Sequence, residues 1–281
     1  MNLKILKDRY RRGITSLMLI VLRQVNNLKK KELLYVDLEN IFYSNSKDFY
    51  NKYFDQPFKN YHKIIQEKIK NKDYNVIKFS HGKDLPFGYG TKNKKKILNN
   101  KKIINKFRKL FKKHIIFKNK VTGGIYKFVK KNIYNKKVLS VHIRGTDHFT
   151  SGHGSNQKHL MNYENFIEPV VKKKLKEKKC NKIFLATDEK EIYLKFKKSF
   201  GKKLIKHKTI LSNTSRSLFD SNAYAPEKIK SNLVSNVIKD IIIMSNCKYS
   251  LCMHSGVSLI NILMRNDYKY EFIDNHIDYE R

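Results

Sequence analysis

The second half of the chain alternates short apolar runs with longer segments of helical periodicity. Residues 138–141 (VLSV), 182–186 (KIFLA), 204–206 (LIK) and 249–253 (YSLCM) read as strands. Residues 163–178, 189–200, 233–245 and 257–264 read as the helices between and after them. Strands without polar alternation are what a parallel sheet produces when crossover helices cover both of its faces. The first half is less regular. Residues 14–28 are apolar and helix-compatible, residues 33–36 read as a buried strand ending at Asp37, and the aromatic-rich residues 49–58 turn at Pro57. Residues 92–120 predict one or two amphipathic helices on Ile97, Ile104, Phe107, Leu110 and Phe111, with lysines on the outer face. This order of elements is α/β. Lys and Asn interrupt the pattern at residues 130–137, which predicts an N-terminal domain of residues 1–135 and a C-terminal domain of residues 136–281.

Composition narrows the picture. A chain of 281 residues with 40% hydrophobic content can bury a core, which excludes disorder throughout. The formal charge of +37, from 61 Lys and Arg against 24 Asp and Glu, favours polyanions or an anionic membrane face as neighbours. The lysines are interspersed with Asn, Ile, Tyr and Phe, however, as an AT-rich coding sequence would also produce. Cys180, Cys247 and Cys252 have no CxxC or Cys/His ligand spacing, and Cys247 and Cys252, in apolar surroundings, read as small core residues. The apolar run at residues 17–22 is too short to span a bilayer and is followed by no small-residue cleavage site. A cytoplasmic protein is expected, with peripheral contact to an anionic membrane left open.

The candidate chemistry sits where the predicted strands end. His142, Arg144 and Asp147 follow the first strand of the second half, Thr187 and Asp188 the second, and His254, Ser255 and Gly256 the last. A parallel sheet delivers such residues to one edge, where ligands bind. The planar guanidinium of Arg144 suits a phosphate. Ser255 would cap the following helix or share its N-terminal donors with an anion. Asp240 lies beside the apolar stripe of Leu233, Val234, Val237, Ile241 and Met244, so it needs a partner, either the N–H edge of a base or an internal cation. His148 and His153 are either exposed loop residues or groups that approach a substrate hydroxyl. The chain has no GxxxxGK phosphate loop, no paired DxD and no HExxH, and HGKDLPFGYG (81–90) has the wrong order for a dinucleotide fingerprint.

These residues carry a resemblance. HIRGTD (142–147) resembles the first motif of the fucosyltransferase superfamily, which includes α1,2-, α1,6-, protein O- and nodulation fucosyltransferases. His142, Arg144 and Asp147 occupy that motif's His, first Arg and Asp, while Gly145 stands where many α1,2 and α1,6 enzymes carry a second arginine. FLATDE (184–189) and VIKDIIIMSNCKYSLCMHSG (237–256) are similar to later motifs in the same order, and YFDQPF (53–58) is similar to a segment before the acceptor groove. The resemblance implies a GT-B-like architecture, two Rossmann-like domains facing a cleft, with the C-terminal one binding GDP-fucose. It places Arg144 on the β-phosphate, Asp240 on the guanine, Ser255 with Gly256 at the diphosphate, and His142, Asp147 and Asp188 in the donor site. The implied reaction is inverting, metal-independent transfer of fucose to a glycan hydroxyl, of α1,2 or α1,6 type, in surface polysaccharide, lipopolysaccharide or glycoprotein glycan synthesis. GDP-fucose is then a substrate and no resident cofactor is expected. Asp147, His148 and His153 are the candidates for general base. Transfer from another nucleotide sugar and nucleic-acid binding by a basic module are the alternatives.

Overall fold

The computed structural model describes residues 1–9, 13–39, 44, 49–78, 100–144, 163–205, 207, 209–212 and 225–273. The chain forms two compact units, Met1–Thr122 with Pro226–Ser231, and Gly123–Ala225 with Asn232–Arg281. Among the described residues no helix is long and apolar enough to cross a membrane.

The first unit is built on a parallel sheet of β1 (Asn2–Arg9), β2 (Glu32–Glu39) and β3 (Asn75–Ile77), in the order β2-β1-β3. Helix α1 (Ile14–Asn26) joins β1 to β2 and buries almost its whole length, from Ile14 through Leu17 to Leu22 and Val25. A short helix α2 (Phe49–Tyr53) and α3 (His62–Lys70) follow. Leu3, Ile5 and Leu33 on one face of the sheet pack with Ile65 of α3, and Tyr35, Ile69 and Tyr74 close around them. Helix α4 (Lys101–His114) is the cationic amphipathic helix expected from the sequence: it buries Ile104, Arg108, Phe111 and His114 and exposes its lysines. The Asn100 side chain caps it, accepting from the Ile103 N–H at 3.2 Å. Residues 92–99 of the predicted helical stretch lie outside the described residues.

One strand expectation here needs correction, and the central strand of this sheet is absent from the sequence reading. β2 does not end at Asp37 but runs to Glu39, because Leu38 is buried and Asp37 takes an outward position beside Lys7. β1 has no counterpart in the sequence reading although it is the central strand of its sheet. Lys4 and Lys7 interrupt its apolar residues, and Lys4 is satisfied by Glu32 of the neighbouring strand at 2.9 Å.

The second unit opens with α5 (Ile125–Asn132), which starts from Gly124 at a φ of 76°, a left-handed conformation that glycine adopts without cost. A five-stranded parallel sheet follows, in the order β6-β5-β4-β7-β8: β4 (Val138–Ile143), β5 (Lys182–Thr187), β6 (Leu204–Ile205), β7 (Tyr249–Cys252) and β8 (Tyr270–Phe272). All six residues of β4 are buried, as the central position requires. On one face Leu139, Val141, Ile143, Ile183, Leu185 and Leu251 form a continuous core with α6 (Glu168–Glu177) and α7 (Lys190–Phe200). The long helix α8 (Glu227–Asn246) precedes β7, and α9 (Gly256–Met264) joins β7 to β8.

Two ionic groups lock this unit. Arg265, only 2% exposed, follows α9 and donates to the carbonyls of Met244 (3.2 Å) and Cys247 (3.0 Å) at the end of α8, to Ser250 Oγ (2.9 Å) on β7, and to Asp267 (2.7 Å). A guanidinium there adds donors to the carbonyls at the helix end and complements the negative end of its dipole. Glu271 of β8 accepts from Lys174 (2.7 Å), Lys178 (2.9 Å) and the Tyr249 hydroxyl. Burial alone would raise its carboxyl, but the hydrogen bonds from Lys174, Tyr249 and Lys178 outweigh it and hold the group at about 2. A carboxyl depressed on folding contributes stability that is complete above its unfolded value of 4.5 and is lost as pH falls toward 2. Urea unfolding at pH 7 and pH 3 will therefore show a smaller loss of stability in Glu271→Gln than in the parent chain. Equal losses in the two proteins would mean that this group does not couple folding to pH.

Candidate functional site

From β4 the chain moves outward through β5 and β6 on one side, then returns through α8 to β7 and β8 on the other. The sheet order therefore reverses between β4 and β7. A crevice opens at such a point outside the carboxyl ends of the strands, and open α/β sheets bind their ligands there.

His142, predicted to lie just beyond the strand, is a residue of β4 itself, paired in register with Ala186 on β5 and Cys252 on β7. The apolar run VLSV underestimates the strand because His142 and Ile143 continue the ladder, and Met253 N–H donates to the His142 carbonyl at 3.2 Å. The imidazole is 5% exposed, and its Nδ1 lies 3.0 Å from the Ser258 hydroxyl. Ser258 in turn donates its backbone N–H to Ser255 Oγ at 3.2 Å, and the two hydroxyls are 3.4 Å apart. His142, Ser258 and Ser255 thus form one buried hydrogen-bonded chain that links the end of β4 to the first turn of α9. A ring held through Nδ1 has Nε2 as its remaining polar atom.

Ser255 is extended, with φ −154° and ψ 168°, and caps α9, whose first residue is Gly256. The N-terminal turn of a helix presents N–H groups without intrahelical acceptors together with the positive end of the dipole, a combination suited to an anion. Arg144 follows β4 directly, is partly exposed, and stands beside this turn because β4 and β7 are hydrogen-bonded neighbours. A guanidinium, a helix N-terminus and a fixed imidazole are donors of the kind that bind a phosphate. The His254 ring lies flat on Phe272 of β8, with centroids 3.9 Å apart and planes 10° from parallel, which occupies one of its faces.

On the other flank of β4, Thr187 ends β5 and its hydroxyl accepts from the Glu189 N–H at 3.3 Å. Asp188 is partly exposed, and its backbone carbonyl accepts from Ser212 N–H at 2.7 Å, so residues 188–190 continue the sheet as a bridge to Ser212. Burial, with the neighbouring Asp188 and Glu191 carboxylates, pushes the Glu189 carboxyl above its ordinary range.

Asp240 stands apart from this group. It lies on α8, and its carboxylate is 3.5 Å from His207 Nδ1, a residue that follows β6. Phe128 and Phe184 set their rings at 5.0 and 6.3 Å from the His207 ring, so the pair has aromatic walls. Burial pushes the Asp240 carboxyl up and the contact with His207 partly offsets it. The Asp240 carboxylate thus faces the His207 ring across ion-pair distance.

The structure brings His142, Arg144, Ser255 and Gly256 to the β4–β7 reversal, with Asp188 on the adjoining strand end. Asp147, His148 and His153 lie outside the described residues. Ser258 and His207 were missed. The three-residue spacing from Ser255 to Ser258 at a helix start was a usable signal, whereas nothing local marked His207. Among the described residues no three His, Cys, Asp or Glu side chains are grouped closely enough to hold a metal ion.

The sequence matches no family model and no curated protein. Solved structures are similar over almost the whole chain. A NodZ α1,6-fucosyltransferase co-crystallised with GDP superposes with a TM-score of 0.54 at 10% identity, over 94% of this chain and 92% of that one. The chain has the NodZ fold. NodZ soaked with GDP-fucose gives 0.51 at 11% identity, with the same coverage. NodZ from Bradyrhizobium gives 0.52 at 11% identity, over 92% and 91%. The GT-B-like α/β class implied by the three motifs is borne out by this likeness, which spans both compact units. At such identity the likeness to NodZ concerns the path of the backbone.

Proposed function

We propose that the chain is a glycosyltransferase that moves fucose from GDP-fucose to a glycan hydroxyl. The observation that carries this reading is the buried His142–Ser258–Ser255 chain beside Arg144, at the β4–β7 reversal of a NodZ-like fold. NodZ itself has been crystallised with GDP and soaked with GDP-fucose, which supports a nucleoside diphosphate as the ligand here.

In this reading residues 136–281 hold the donor and residues 1–135 serve the acceptor. Arg144 and the first turn of α9, with Ser255 and Gly256, take the diphosphate, and His142 and Asp188 border the donor. The guanine N–H edge would take the Asp240 carboxylate in exchange for its present contact with His207. The acceptor oxygen attacks the anomeric carbon from the side opposite GDP, the bond to the β-phosphate oxygen breaks, and configuration inverts. Negative charge grows on that oxygen, so the Arg144 cation and the helix terminus bind the transition state more tightly than the intact donor without calling on a metal ion. The attacking hydroxyl gives its proton to a general base drawn from Asp147, His148 and His153. Linkage of α1,2 or α1,6 type and a surface polysaccharide, lipopolysaccharide or glycoprotein glycan as acceptor complete the proposal. Such a cytoplasmic enzyme would meet a membrane-borne precursor through the exposed lysines of α4.

Incubation of the purified chain with GDP-fucose, GDP-mannose, UDP-sugars and CMP-sialic acid, with released nucleotide as readout, tests the donor. GDP release from GDP-fucose well above that from every other donor is expected. Preferential turnover of a UDP- or CMP-sugar would replace fucose with another donor, and salt-sensitive nucleic-acid binding with no nucleotide release would remove the enzyme reading altogether.

A further inference from the structure

The first unit contains a cavity of about 440 Å³ that the donor chemistry does not use, within the size range of small-ligand sites. It lies on the face of the N-terminal sheet that α3 covers only in part. Tyr35 and Asp37 of β2 point to this face together, as do Ile5 and Lys7 of β1, because alternate residues of a strand share a face. Gln66 of α3, Tyr74 and the half-exposed Val76 complete the walls.

The lining has two kinds of surface. Tyr35 and Tyr74 offer partly exposed aromatic faces, and Asn51 Nδ2 donates to the Tyr35 hydroxyl at 3.4 Å, which steadies that ring. Lys7 and Asp37 face each other in register at 3.7 Å, with side chains 64% and 39% exposed. An ion pair this exposed contributes little to stability and rearranges at small cost. Between them Lys7, Asp37 and the Gln66 amide provide adjacent donors and acceptors whose formal charges cancel. A phosphate or carboxylate would meet Asp37 at close range, and a plain hydrocarbon would leave the pair and the amide desolvated. A ligand with one apolar face and neighbouring hydroxyls, each able to donate and accept, satisfies every group.

We infer that this pocket binds a neutral pyranose. Resting on the fucosyltransferase reading, that sugar belongs to the acceptor glycan, so the acceptor is uncharged at the unit seated here, even though the chain carries a net charge of +37.

The full chain, without donor, is applied to an array of neutral oligosaccharides and their sialylated and sulfated counterparts, and the strongest ligand is then titrated against Tyr74→Ala and Asp37→Asn. Thermal melting confirms that each variant is folded, and the near-isosteric Asp37→Asn decides the outcome if Tyr74→Ala is not. Capture of neutral glycans, with affinity weakened at least tenfold in the folded variants, is expected. Preference for acidic glycans, capture of none, or affinity indifferent to both substitutions would overturn the proposal. The donor panel is read separately on the parent chain, so failure of fucosyl transfer with intact saccharide binding would remove the enzyme reading and leave the pocket standing.

Discussion

On the proposed function, replacing Arg144 with alanine will lower fucosyl transfer by roughly 10²- to 10³-fold, the effect of removing one donor aimed at charge that develops in a transition state. Arg144 leaves the central strand of its sheet at the point where strand order reverses, and it is partly exposed rather than packed into the core. Its contribution is therefore expected in catalysis and not in folding. Because the β-phosphate gains charge only as the sugar bond breaks, kcat and kcat/KM should fall together, with a smaller change in donor affinity. Arg144→Lys keeps the charge but loses the planar pair of donors and should recover only part of the rate. Steady-state kinetics with released GDP as the signal, alongside thermal melting, separates the outcomes. Turnover near that of the parent chain in a folded variant would rule out the phosphate role. Gly145 bears on this expectation, since the sequence places no second arginine directly after the first.

Replacing Arg265 with alanine will cost about 2–3 kcal/mol of stability, the upper part of the range for taking the donor from a buried acceptor. The side chain closes the end of α8, reaches Ser250 on β7 and pairs with the partly exposed Asp267, so its loss takes the guanidinium donors from the Cys247 and Met244 carbonyls and from Ser250 at once. Ser250 is also 2.7 Å from Ser140 on β4, which ties the same group to the centre of the sheet. Urea unfolding should show a lower midpoint with an unchanged slope. Arg265→Lys should be nearly as damaging, because an ammonium cannot reach the several acceptors that the guanidinium spans. A loss below about 1 kcal/mol would assign the site to ordinary surface pairing.

The strands of the second unit were legible because a parallel strand covered on both faces is a short uninterrupted apolar run, as in β4, β5 and β7. β1 escaped because Lys4 and Lys7 break its pattern, and their partners Glu32 and Asp37 sit on a strand that only the folded chain brings alongside. β8 escaped because three residues held by pairing with β7 carry no periodicity of their own. In the candidate site, polar residues at the ends of apolar runs drew attention to His142, Arg144, Asp188 and Ser255. The link that joins them, Ser258, did not stand out, since a serine inside the apolar helix VSLINILM reads as a small core residue. Asp240 signalled that it needed a partner, but His207 is supplied by the end of β6 and depends wholly on tertiary structure.

Hydrogen–deuterium exchange of the full chain with and without GDP tests the central claim most directly, because it reports where the nucleotide sits independently of turnover. The account predicts slowed exchange at residues 142–144 and 255–259, with the first turn of α9 most affected, and no such protection from UDP at the same concentration. Tight GDP binding that protects other segments and leaves these two unchanged would contradict it.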